Sequence, residues 1–215
     1  MRPMLSELFT TLFDLCEEMK SIPLESALIS NEVDIRIIND VIEAATDIWT
    51  VERAIEEHKL RDKGDRKKAF QIFKIHAENG NALANYYYGY YLYHYQYDRE
   101  SETSETPEEK KERFKKAAMA FKEASGEIAE AKGRYGACLL DGVGVEQNQN
   151  EAIECLRSAA EKKSSTGLFL MGKLYYLGAR GVVKDVNMGK SYLTQAVRAG
   201  NATAKTFCKN NDISW

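Results

Sequence analysis

Apolar residues recur along most of the chain at steps of three and four. Over residues 4–20, Leu5, Leu8, Phe9, Leu12, Phe13 and Cys16 share one side at that spacing, the pattern of an amphipathic helix. Pro3 sits in the first turn, where its missing N–H has no helical acceptor to lose. Pro23 ends this helix, because proline disfavours the helical region for the residue before it, and a linker follows. Helical spacing returns over residues 33–57 with Ile38, Val41, Ile42, Ala45, Ile48, Trp49 and Ile55, behind Asn31 as a capping residue. The β-branched pair Thr50-Val51 weakens the middle of that stretch, which reads as one bent helix or as two. Trp49 is expected to fill core beside the first repeat, and the charged run over 61–68 reads as a solvated connector.

From about residue 67 the pattern repeats itself. Gly136 and Gly172 lie 172 − 136 = 36 residues apart, and Tyr135-Gly136-x-x-Leu139-Leu140-x-Gly142 falls on Met171-Gly172-x-x-Tyr175-Tyr176-x-Gly178. Residues 69–80 match 152–163 and, less closely, 189–200, with apolar residues facing inward and Gly80 and Gly200 placed to close the helix in a left-handed cap. Lys163 departs from that cap. A period in the thirties with a helix pair in each unit marks an α-solenoid, in which neighbouring units bury faces that none could bury alone. The first unit is longer, since Gly89 to Gly136 is 136 − 89 = 47 residues, and the excess is a charged insertion at 98–116. Its front half is expected to be a mobile loop, while Pro107 and Glu108-Glu109 are placed to start the next helix. Thr106-Pro107 is a candidate phosphorylation site. The motif stops after Cys208, leaving 209–215 as a tail.

These residues resemble the Sel-one-like repeats, relatives of the tetratricopeptide repeats. The resemblance runs best over 131–163, then through Gly172, Tyr175, Gly178, Gly181, Val182, Asp185, Tyr192, Leu193, Ala196 and Gly200, and covers about residues 67–208. It implies an all-α, right-handed solenoid of helix hairpins behind an N-terminal helical segment, residues 1–60. It also implies a scaffold or adaptor that binds a protein or peptide along its concave helices. By analogy with tetratricopeptide grooves, Leu83, Tyr86, Tyr90 and Tyr93 would line that face. In the same phase come Glu130, Gly133, Ala137 and Leu140, then Thr166, Phe169, Lys173 and Tyr176, while Tyr88 and Leu92 would point inward. Tyrosine suits a partner surface and a core equally, so the cluster from Tyr86 to Tyr97 reads as either. Separately, Arg2-Pro3-x-x-x-Glu7-Leu8-x-x-x-Leu12 is similar to the opening of the last helix of a protein kinase C-lobe. That resemblance implies a second reading, the C-terminal regulatory part of a kinase-like signalling protein whose catalytic domain is absent.

Composition narrows the chemistry. The 215 residues are 44% apolar with a formal net charge of −3, which gives no general basic field for nucleic acid or an anionic membrane surface. With no leader-like N-terminus, the chain reads as cytoplasmic. Cys16, Cys138, Cys155 and Cys208 are too scattered for a zinc site and read as buried thiols. His58, His76 and His94 read as isolated. Gly142-Val143-Gly144-Val145 follows a helix rather than a strand, so it is a turn and not a dinucleotide loop. No catalytic group, metal or cofactor is expected, and Glu78, Glu151 and Glu161 read as solvated helix surface.

Overall fold

Nine helices form among the described residues, which are 50–60, 66–94 and 105–215 of a computed structural model. They are α1 Val51–Lys59, α2 Arg66–Glu78, α3 Ala82–His94, α4 Pro107–Ala124, α5 Ala129–Asp141, α6 Gln149–Glu161, α7 Ser165–Leu177, α8 Val186–Arg198 and α9 Ala202–Asn210. All fall in one unit, Trp49–Trp215. The helix expected over 4–20, the kinase-like residues, Trp49 and the front of the insertion lie outside the described residues.

Helix starts follow from capping chemistry. The weak point at Thr50-Val51 is a boundary, since the Thr50 hydroxyl accepts from Arg53 N at 3.2 Å and opens α1. Thr106 opens α4 with a full capping box, its hydroxyl accepting from Glu109 N while Glu109 Oε2 accepts from Thr106 N at 2.8 Å, with Pro107 in the first turn. Arg66, Lys67 and Lys68, expected in a connector, belong to α2, because Ala69, Phe70, Ile72 and Phe73 just behind them bury and draw the helix back by a turn.

The repeat appears as identical backbone hydrogen bonds in successive hairpins. In the α5–α6 turn Val143 N donates to Cys138 O and Asn148 N to Leu139 O; in the α7–α8 turn Ala179 N donates to Leu174 O and Asp185 N to Tyr175 O. Asn148 and Asp185 then cap α6 and α8, accepting from Glu151 N at 3.2 Å and Met188 N at 2.9 Å. Gly136 and Gly172 hold equivalent places. A Cβ on Gly136 would meet Leu156 Cγ at 3.0 Å, and one on Gly172 would meet Leu193 Cγ at 2.9 Å. Gly89 stands against Phe121 in the same way, with Cε1 at 2.9 Å, so the first helix of each pair closes on the second where only glycine fits.

Each helix packs mainly on its neighbours in sequence, and α5 also touches α7, the nearest-neighbour pattern of a repeat protein. One apolar cluster runs from Val51 and Ala54 through Phe73, Phe121 and Leu156 to Ala204. A second joins Leu193, Cys208 and Ile213. Ile213 is buried and its N–H bonds to Cys208 O at 2.9 Å, so part of the 209–215 tail folds back over the end of the solenoid.

Lys163 corrects the sequence reading. It adopts φ 63°, the left-handed conformation of Gly80 at 80° and Gly200 at 84°. Its N–H donates to Ala160 O and the next N–H, of Ser164, to Ala159 O, matching the bonds at the other two caps. The cap is kept and the glycine is not. Lys163→Gly is therefore expected to stabilise the chain by about 1 kcal/mol, the cost of a left-handed side-chain-bearing residue, read as a higher urea midpoint at unchanged slope. The exposed 3.3 Å bond from Lys163 Nζ to Gln195 is too weak to offset that gain.

Candidate functional site

The first helices α3, α5 and α7 lie so that Tyr86, Tyr90, Glu130 and Arg134 share a cleft of about 320 Å³ with Ser165. His58 of α1 and Tyr87 complete its wall. Backing this wall, Tyr91 is fully buried, and His58 Nδ1 bonds its hydroxyl at 3.1 Å. The same imidazole stands edge-on to Tyr87 at 5.3 Å and Tyr90 at 5.6 Å. Phe73 stacks on Tyr87 at 4.8 Å and Phe70 on Tyr88 at 5.4 Å. The tyrosine cluster thus divides. Tyr91 is core, Tyr87 and Tyr88 pack on α2, and Tyr86 and Tyr90 turn toward α5.

Arg134 lies with its guanidinium 5.1 Å from the centre of the Tyr90 ring, a cation–π contact. Its Nη1 donates to His94 Nε2 at 3.0 Å, which requires that nitrogen to be an unprotonated acceptor. Burial, and then the neighbouring Arg134 charge, pull His94 down to about 4. Burial and Arg66 likewise lower His58. Burial pushes the Tyr86 hydroxyl upward, so these three rings are uncharged at neutral pH. Glu130 differs. Burial alone would raise its carboxyl, but hydrogen bonds from Thr166 and Ser164 and the charge of Arg134 outweigh that and hold it low. Its oxygens accept from Ser164 Oγ at 2.7 Å, Ser165 Oγ at 3.3 Å, Thr166 N at 3.4 Å and Thr166 Oγ1. It is a carboxylate clipped onto the N-terminus of α7, where the helix dipole favours negative charge.

Of the twelve residues expected along the groove, Tyr86, Tyr90 and Glu130 meet in this cleft, while Gly133, Leu140 and Thr166 are buried and Ala137 is half-buried. Leu83 packs half-buried on the core. Tyr93 leans on Phe114 at 5.2 Å. Phe169 and Tyr176 stand edge-on to Phe207 of α9, at 6.2 Å and 5.8 Å, and Lys173 is exposed. Of the two residues expected inward, Leu92 is buried but Tyr88 is half-buried, and Tyr91 takes the deep position. His58, Tyr87, Arg134 and Ser165 were not foreseen. Arg134 carried a signal, being one turn beyond Glu130 on the same helix; His58, on another hairpin, carried none.

Among the described residues no group of three or more His, Cys, Asp or Glu side chains is placed to hold a metal. Burial pushes the Cys138 thiol up to about 12, away from thiolate chemistry. No described helix is long and apolar enough to cross a membrane.

Paired helices, repeated turns and nearest-neighbour packing define an all-helical repeat solenoid. Residues 129–164 and 165–201, two successive hairpins, match the model of the Sel1 repeat. They are α5–α6 and α7–α8. The chain is similar to the crystal structure of a Sel1 repeat protein from Oxalobacter formigenes, at 21% identity and a TM-score of 0.51, over 65% of this chain and 37% of that one. It is also similar to c5321, a protective antigen present in uropathogenic Escherichia coli strains displaying an SLR fold, at 22% identity and a TM-score of 0.43, over 74% of this chain and 39% of that one. The chain thus matches well under half the length of either structure. No curated protein matches it.

Proposed function

We propose that the chain is a non-catalytic, cytoplasmic scaffold or adaptor that binds a protein or peptide partner on the face of its first helices, centred on the cleft between α3 and α5. The observation that carries this reading is the wall of Tyr86 and Tyr90 beside Arg134, all lining one opening. Tyrosine and arginine are the side chains that most often dominate binding energy, and here rigid helices hold them in place. Residues 67–208 act as the repeat region in this reading, with 1–60 as a separate helical segment.

Tyr86→Ala/Tyr90→Ala is expected to weaken partner binding about thirtyfold or more, the effect of losing one strong anchor. A quantitative pulldown against the unaltered chain measures it, with far-ultraviolet circular dichroism confirming helix content. Retention of every partner at full occupancy by the folded variant would remove this surface from consideration.

A further inference from the structure

Resting on that reading, we propose that the cleft takes an acidic side chain of the partner peptide, its carboxylate on the Arg134 guanidinium and an adjacent apolar residue against Tyr86 and Tyr90. The argument is one of hydrogen bonding. The cleft is lined by one carboxylate and one guanidinium, and although their charges oppose each other, only the carboxylate has its hydrogen-bonding capacity met from within the protein. Glu130 is held by Ser164, Ser165 and Thr166 at the start of α7. Among the described residues no ion pair engages Arg134. Its hydrogen-bond acceptor is the neutral His94 ring, and its Nε–H is covered with no acceptor at all.

A half-buried guanidinium whose one acceptor is a neutral ring is costly, and a carboxylate, which matches its forked geometry, is the group that best engages the Nη donors that His94 leaves over. A cationic ligand is disfavoured, because Arg134 already occupies the face of Tyr90. The volume, about 320 Å³, is at the low end for ligand pockets and has room for one or two side chains rather than a cofactor.

The test uses the full chain, labelled with nitrogen-15, and four small probes: phenylacetate, its neutral isostere phenylacetamide, benzylamine and phenyl phosphate. The Arg134 Nε–H resonance is assigned by its loss in Arg134→Lys. Phenylacetate is expected to move that resonance saturably and to bind at least about tenfold more tightly than phenylacetamide, the margin of a charge-assisted hydrogen bond. Arg134→Gln should abolish the difference. Equal binding of acid and amide, preference for benzylamine or phenyl phosphate, acid binding that survives Arg134→Gln, or no saturable shift with any probe would each overturn the assignment. The comparison of acid with amide needs no variant, so a misfolded Arg134→Gln leaves the test intact. Failure here with partner loss in Tyr86→Ala/Tyr90→Ala would leave the surface standing and remove its acid preference. Success here with every partner retained would do the reverse.

Discussion

Gly144→Ala is expected to destabilise the chain by about 3 kcal/mol, combining left-handed strain of roughly 1–2 kcal/mol with overpacking of about 1–3 kcal/mol. Gly144 has φ 72°, and a Cβ there would lie 2.1 Å from the Phe114 carbonyl oxygen and 2.4 Å from its carbon. These are backbone atoms of α4, which cannot rotate aside as a side chain would. The turn joining α5 to α6 therefore rests directly on the preceding hairpin, and the substitution pries two units apart. Gly80→Ala is the control. Its φ of 80° carries comparable strain, but nothing lies within 4 Å of the added methyl, so its loss should be near 1 kcal/mol. Urea unfolding of the two variants, at matched slopes, reads the difference. Equal losses would show that the turn does not bear on α4.

Arg113→Met is expected to cost about 3 kcal/mol, because removing one member of a buried ion pair strands the other. Arg113 and Glu105 are each 9% exposed and pair twice, Nε to Oε1 at 2.7 Å and Nη2 to Oε2 at 3.0 Å. Arg113 Nη1 also donates to the carbonyls of Leu92 and Tyr93 in the last turn of α3, which have no helical donor of their own. The side chain thus ties the end of α3 to the entry of α4. Adding Glu105→Leu to Arg113→Met should recover much of the loss, since an apolar pair needs no charge balance. A double variant no more stable than the single one would mean that the bonds to α3, rather than the ion pair, carry the effect.

Arg113 also shows where reading the sequence stops. Residues 98–116 read as a charged insertion, yet from Pro107 the chain is helical and Arg113 is buried. Charge density marks solvation only while a charge lacks a partner, and the partner, Glu105, lies eight residues away, before the helix begins. The repeat itself was legible because it is local. Gly136 and Gly172, Leu139 and Tyr175, and Gly142 and Gly178 all recur in phase, since each hairpin solves the same packing problem. Lys163 escaped because the left-handed cap is a property of the backbone, which a lysine can adopt at a cost. The cleft was legible only on its own helices: Tyr86, Tyr90 and Glu130 follow from the analogy with tetratricopeptide grooves, whereas His58 arrives from α1 and the depth of Tyr91 depends on Phe70 and Phe73 of α2.

The account holds that stacked first helices present the working surface and that the second helices support it. Site-specific photo-crosslinking tests this most directly, with p-benzoylphenylalanine placed at Tyr90 or Lys173 on first helices, or at the exposed Met119 or Lys190 on second helices. The prediction is that one and the same partner is captured from the first-helix positions and competed away by the unaltered chain, with Met119 and Lys190 giving background. Capture of that partner chiefly at Met119 or Lys190 would contradict it.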